Sequence, residues 1–260
     1  MFYDRNPGTR RASLCRGGIA WAAVLLMASG LGCRDQKPPP APRRKAPPAA
    51  KTQPSAAPKT QPSTAPKTQP RTAAKWRFLF DGETLEGWKV PEWGGSGKVY
   101  VKDGAVHMES GDTCTGFTYT GKIPREDYEI ALEGKRVEGV DFFCGLTFPV
   151  GKDPMTLICG GWGGTVTGLS SIDGMDASQN DTGQYIEYKN KRWYDIRVRV
   201  TKAKITVRLD NKQIIEVERE GKKIGIRPEV EQSVPLGICT WQTHGAVRDI
   251  RIRTLSKAER

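Results

Sequence analysis

The sequence predicts an all-β domain, a sandwich or barrel of short antiparallel strands, over residues 76–260. Three observations predict it. Apolar and polar residues alternate with a period of two through run after run, and turn-forming dipeptides divide the runs at short intervals. No stretch keeps a 3.6-residue apolar period over three turns. The segment is long enough to bury a core of its own as one domain.

The chain reaches that domain through two other segments. Residues 1–33 read as a targeting sequence: Arg5, Arg10, Arg11 and Arg16 precede the apolar stretch IAWAAVLLMASGLGC. That stretch is shorter than the roughly 20 residues a spanning helix needs. Its end, Ser29-Gly30-Leu31-Gly32-Cys33, resembles the lipobox of bacterial lipoproteins, with the leucine one place nearer the cysteine than usual. This implies lipidation of Cys33, plain secretion being the alternative. Residues 34–75 read as a tether to a membrane-anchored, exported domain. KTQP begins at 51, 59 and 67, and a Pro/Ala/Lys-rich run of this kind stays extended with nothing to bury.

Charge excludes one class of partner. The formal net charge is +12, but residues 1–33 contribute +3 and residues 34–75 contribute +9. Residues 76–260 carry 27 basic and 27 acidic side chains, so the domain lacks the basic face that nucleic acid requires.

Within the domain, GKVYVKDGAVHME alternates on both sides of Asp103-Gly104, a strong hairpin signal. VDFFCGLTFPV and MTLICGGWGG flank a turn at Gly151-Lys152, which sets Cys144 opposite Cys159. With Cys114 and Cys239 these allow three disulfide connectivities in an exported domain; buried free thiols serve the same positions equally well. WYDIRVRVTKAKITVRLDNKQIIEVE gives three runs with turns near Lys202-Ala203 and Asp210-Asn211. VRDIRIRTL closes the domain with Ile250 and Ile252 on one face and Arg251 and Arg253 on the other.

Phosphate and zinc chemistries find no foothold. There is no Gly-Lys-Ser/Thr loop, no GxGxxG before a helix, no HExxH, no GxSxG and no CxxC. The stretch GGWGGTVTGLSSIDG, residues 160–174, has no lysine after its first glycines. A phosphate-cradling loop is therefore a weak reading, and the glycines leave Trp162 with no bulky neighbour to cover it. Downstream, Asp173, Asp176, Asn180 and Asp181 offer hard oxygen ligands for a divalent cation such as calcium, though not in EF-hand spacing. A solvated acidic loop is the commoner outcome.

FLFDGETLEGW, residues 78–88, resembles the opening signature of the 3-keto-disaccharide hydrolase family. It carries Phe80-Asp81-Gly82, Thr84-Leu85 and Gly87-Trp88 in the family's order, and Trp193-Tyr194 and the closing AVRDIRIRTL extend the likeness. The resemblance implies a concanavalin-A-like jelly-roll β-sandwich of two antiparallel sheets with a carbohydrate-binding face. It also implies a chemistry. A ketone at C3 of a sugar acidifies the proton on C2, so a base can remove it and the oxygen on C1 leaves. That needs a base, an acid and an enolate stabiliser rather than the carboxylate pair of ordinary glycosidases. Asp173 and His244 are the candidates for proton transfer. Trp162, Trp241, Gln242 and Arg192 are the candidates for substrate contact, Arg192 as an oxyanion holder. Many relatives carry a glutamate-aromatic-glutamine run before the aspartate, and this chain keeps only the aspartate. A non-catalytic carbohydrate-binding or adhesion module on the same fold is therefore the rival reading.

Overall fold

The period-two alternation of the sequence is realised as fifteen strands in a computed structural model of the chain, which describes residues 75–260. They are β1 (Arg77–Phe78), β2 (Trp88–Lys89), β3 (Val99–Lys102), β4 (Ala105–Met108), β5 (Cys114–Tyr119), β6 (Tyr128–Glu138), β7 (Cys144–Val150) and β8 (Asp153–Gly161). Then follow β9 (Val166–Ser170), β10 (Gln184–Tyr185), β11 (Tyr194–Val200), β12 (Lys204–Leu209), β13 (Lys212–Glu218), β14 (Gly237–Trp241) and β15 (His244–Thr254). The only helical pieces among the described residues are the 3-10 turns Pro228–Ser233 and Lys257–Glu259.

The strands form two antiparallel sheets. Sheet A runs β13-β12-β11-β6-β15-β4-β3, with β1 also paired to β15; sheet B runs β10-β9-β8-β7-β14-β5-β2. Neighbours distant in sequence, such as β14 between β5 and β7, make this the expected jelly roll rather than a meander.

The hairpins fall where the turn chemistry puts them. Asp103 and Gly104 have φ of 51° and 73°, and Asp210 and Asn211 have 48° and 65°. Positive φ at both central residues is what a two-residue loop needs to match the twist of its strands. The β7–β8 hairpin turns at Gly151-Lys152 and brings Cys144 opposite Cys159. All four cysteines of the domain are buried free thiols.

One face of each sheet supplies the core. Val106, Ile130, Leu132, Val198, Val207, Val247 and Ile252 from sheet A pack with Phe117, Leu146, Phe148, Leu157, Leu169 and Ile238 from sheet B. Ile250 joins them only because β15 bulges between Arg248 and Arg251, with Asp249 at φ 57° absorbing the extra residue.

FLFDGETLEGW proves to be a structural clasp. Leu79, Phe80 and Trp88 are core residues, and the indole N–H of Trp88 donates to the Leu79 carbonyl at 2.7 Å. Between them the Asp81 carboxylate accepts from the Glu83 and Thr84 N–H groups, both at 2.8 Å, and from the Thr84 hydroxyl at 2.6 Å. The loop so tied carries the chain from β1 in sheet A to β2 in sheet B.

Candidate functional site

The outer face of sheet B is paved with small residues. Alternation with the core residues Phe117, Leu146, Leu157, Leu169 and Ile238 turns Gly116, Gly145, Thr156, Ile158, Gly168, Ser170 and Cys239 outward. Lack of side chains lets other groups lie close. A β-carbon on Gly145 would stand 3.0 Å from the Phe142 ring, and one on Gly168 would stand 2.9 Å from the Ala177 methyl. The loop after β9 and the Arg227–Ser233 segment thus roof parts of this face, and a cleft of about 200 Å³ lies between the Arg227–Val230 stretch and Asp141, Phe142 and Trp162. Typical drug-sized ligand pockets span roughly 300–1,000 Å³, so the cleft suits something nearer one ring.

Trp162 and Trp241 both line this cleft, as do Phe142, Ser170, Arg227 and Glu229. Trp162 sits at φ 49° in the β8–β9 connection and is 41% exposed, the largest ring left open at the rim. Asp141 holds this connection in place, its carboxylate accepting the N–H of Gly163 at 3.2 Å and of Phe142 at 2.7 Å. Trp241 ends β14, and its N–H donates to the Phe142 carbonyl at 3.2 Å. Gln242 follows at φ 45° and spends its amide on the Asp112 carbonyl at 2.9 Å, so it fixes the β14–β15 turn.

Two polar groups on this face want partners. Ser170 Oγ, in a residue 1% exposed, lines the cleft with no hydrogen-bond partner in the protein. Trp93 Nε1 is likewise buried and unpaired, beside a second hollow that shares Cys114, Glu229 and Trp241 with the first. Such groups cost about 1–3 kcal/mol unless water or a ligand satisfies them.

The cleft's charge is an ion-pair chain. Arg227 donates to both carboxylate oxygens of Glu229, at 2.7 and 3.3 Å, and to Asp176 at 2.8 Å. The guanidinium holds the Glu229 carboxyl below its ordinary pKa against the opposing effect of burial.

The other sequence-predicted residues stand elsewhere. Asp173, at φ 54°, closes a turn: its carboxylate accepts the Lys223 N–H at 2.7 Å and faces Lys222 Nζ at 3.5 Å, which lowers its pKa. Arg192 pairs with Asp210 at 2.5 Å and stacks over Tyr194. His244 lies on sheet A against His107. None of these three lines the cleft. The acidic loop is internally satisfied, Asp176 capping Ser178 and the Asn180 amide donating to the Leu169, Met175 and Asp176 carbonyls. Among the described residues no three His, Cys, Asp or Glu side chains converge to hold a metal, Asp173, Asp176 and Asp181 included. Cys33 and its lipobox lie outside the described residues.

Sequence reading missed Arg227, Glu229, Asp141, Ser170 and Trp93. The first two were signalled only by Arg-Pro-Glu, a proline-started turn with its charges two residues apart. Asp141 carried no pattern at all.

The molecule is thus a jelly-roll sandwich with an indole-walled cleft on one outer face. The chain belongs to the family described as the 3-keto-alpha-glucoside-1,2-lyase-like domain, whose profile it matches over residues 75–253. Among solved structures, a Bacillus subtilis protein of unknown function with a galectin-like fold is similar, with TM-score 0.50 and 11% identity over 70% of this chain and 96% of that one. The Crh5 transglycosylase in complex with NAG has TM-score 0.50 and 15% identity, over 72% of this chain and 86% of the other. A carbohydrate-binding module from Bacillus subtilis aligns with TM-score 0.46 and 11% identity, over 68% of this chain and all of that one. At such identities the likeness is one of fold. No curated protein matches the chain in sequence.

Proposed function

We propose that the cleft on sheet B binds a glycoside whose ring lies against Trp162 and Trp241, and that the substrate is a 3-keto sugar cleaved there by elimination. The observation that carries this reading is a carboxylate and a guanidinium held 2.7 Å apart at the wall of an indole-lined cleft. In a 3-keto glycoside the acidic C2–H and the ketone oxygen are close neighbours. Glu229, kept ionised by Arg227, takes the C2 proton, and the C2–H pair moves to make an enolate. The negative oxygen at C3 faces Arg227, which stabilises it as charge develops. The enolate then re-forms the ketone, makes a C1–C2 double bond and expels the C1 oxygen, which takes its proton from the now protonated Glu229, restoring the carboxylate; water adds to the double bond afterwards. Ser170 Oγ supplies a hydroxyl for the ring's own hydroxyls. In this reading the proton-transfer roles expected of Asp173 and His244 pass to Glu229, and the oxyanion-holding role expected of Arg192 passes to Arg227; both line the cleft.

The cell-envelope setting belongs to the same proposal: a diacylglycerol on Cys33 anchors the chain, and residues 34–75 hold the domain away from the membrane. Labelled palmitate entering the wild-type chain but not Cys33→Ala supports the anchor.

One observation favours a rival, a binding module without turnover. Every cleft carboxylate is already engaged, Glu229 by Arg227 and Asp141 by two backbone N–H groups. Incubation with a 3-keto-glucoside and with its unoxidised parent separates the two. Release from the keto sugar alone, falling at least about 10²-fold in Glu229→Gln, supports elimination. Saturable binding of both with no release supports the module.

A further inference from the structure

On the outer face of sheet A, away from the cleft, two imidazoles converge. His107 on β4 and His244 on β15 bring Nδ1 of the first to within 3.1 Å of Nε2 of the second. Tyr100 stacks flat on His107, with ring centroids 5.3 Å apart and planes 8° from parallel, and covers one face of that ring. The His244 ring stands at 63° to it. Glu138 is the ladder partner of His244, and Glu109 lies two residues beyond His107. Sugar elimination makes no use of this cluster.

We propose that His107 and His244 form a two-imidazole site for a divalent cation of the zinc or copper class, with water completing its coordination. Imidazole nitrogen suits zinc, copper and nickel, whereas magnesium and calcium take oxygen. Metal–nitrogen bonds of about 2.0–2.1 Å place two ligand nitrogens about 2.9 Å apart at a right angle and about 3.3 Å apart at the tetrahedral angle. The observed 3.1 Å lies between these, so the backbone already sets the spacing. What remains is a rotation of the rings that takes both lone pairs off the line joining the nitrogens. Both imidazoles are ready for it: burial, the largest influence on each, pushes their pKa values below the ordinary histidine range, leaving neutral rings near pH 7. In the metal-free pair one N–H donates to the facing nitrogen. On binding, that ring changes tautomer, its proton moving to the other nitrogen, and no net proton is released. Lys135 opposes a cation at both rings and Lys102 at His107, while Glu109 and Glu138 favour positive charge at His244. Since no third His, Cys, Asp or Glu converges here among the described residues, coordination positions stay open to water.

Equilibrium dialysis of the full chain against Zn²⁺, without sugar, tests the site. One equivalent is expected, with affinity at least tenfold weaker in His107→Gln and in His244→Gln, variants that keep size and polarity. The Cu²⁺-loaded wild-type protein is expected to show electron-paramagnetic coupling to two imidazole nitrogens. Zinc affinity unchanged in a folded His107→Gln protein overturns the proposal. So does a copper spectrum without two-nitrogen coupling, which needs no variant to fold.

Discussion

The outer faces of the two sheets are built to opposite plans. On sheet A, charged side chains alternate with the core residues and satisfy one another: Arg199 and Arg253 meet on Glu129, Arg248 meets Glu133, and Arg197 meets Asp195. Trp193 lies between Lys135 and Arg248, and Trp76 lies near Arg251 and Arg253. On sheet B, glycines and small hydroxyls replace those chains, a cleft opens, and buried polar atoms are left without partners. Pairing among a protein's own groups adds stability and leaves nothing for a ligand. Unpaired groups beside open rings do the reverse. The difference assigns stability to the ion-paired stretch of sheet A and makes the cleft on sheet B the candidate for sugar recognition.

Glu129→Ala is the strongest way to break that assignment. Glu129 is 5% exposed and holds Arg253, itself nearly buried, so removing it leaves that guanidinium with Glu259 as its one carboxylate partner. Loss of one member of a buried pair costs roughly 3–5 kcal/mol, and the surviving Glu259 contact places this case near the low end. Urea unfolding is expected to show a loss of about 3 kcal/mol with sugar affinity unchanged in the folded fraction. A fall in affinity at constant stability undoes the division of labour.

Substitution in the cleft is expected to do the opposite. Beyond the loss of turnover in Glu229→Gln, Asp173→Asn is expected to leave turnover within about twofold, because that carboxylate closes a turn outside the cleft lining. If Asp173→Asn matches Glu229→Gln, the chemistry sits at the turn rather than at the ion pair.

The indoles give a smaller effect that divides by face. Trp162→Ala is expected to weaken sugar binding by about tenfold, an aromatic contact's worth of free energy, and to leave the melting temperature unchanged, since the ring is open to solvent. Trp193→Ala is expected to leave binding untouched and to cost about 1 kcal/mol through its two cation–π contacts. Calorimetric titration and thermal melts on the two variants check both halves.

The legibility of the molecule follows the same division. Hairpins were readable because Asp103-Gly104 and Asp210-Asn211 are local: two residues with positive φ fix a turn whatever surrounds them. Trp162 and Trp241 were readable as cleft residues because glycines or a strand end leave an indole uncovered. Arg227 and Glu229 were not. They come from a segment more than fifty residues after β9, and only the sandwich's topology lays that segment across the outer face of sheet B. The pairing of His244 was not legible either, since its partner His107 is 137 residues away and the β4–β15 ladder alone unites them. Asp81 is the reverse case. Its signature was visible and suggested a family, but its role as a clasp appears only once β1 and β2 are seen to belong to different sheets.

The smallest expected effect concerns that clasp, which ties the two plans together. Hydrogen bonds from the Thr84 hydroxyl, the Thr84 N–H and the Glu83 N–H hold the Asp81 carboxyl at about 2, below its ordinary 3.8. A carboxylate depressed in the folded state contributes stability above its unfolded pKa and loses it as pH falls through the folded one. The contribution is therefore complete above about pH 4 and gone below about pH 2. Glu259, held at about 2 by the Ser256 N–H, Arg253 and the Ser256 hydroxyl, titrates over the same interval, and the lowered Asp173 and Glu229 carboxyls add to the same acid limb. In Asp81→Asn the urea midpoint is expected to lie lower at neutral pH and to fall less steeply between pH 4 and pH 2, retaining the part that belongs to Glu259, Asp173 and Glu229. An unaltered acid limb in Asp81→Asn means that the carboxylate is not bound by the turn in solution. The loop joining sheet A to sheet B would then owe its closure to Leu79, Phe80 and Trp88 alone.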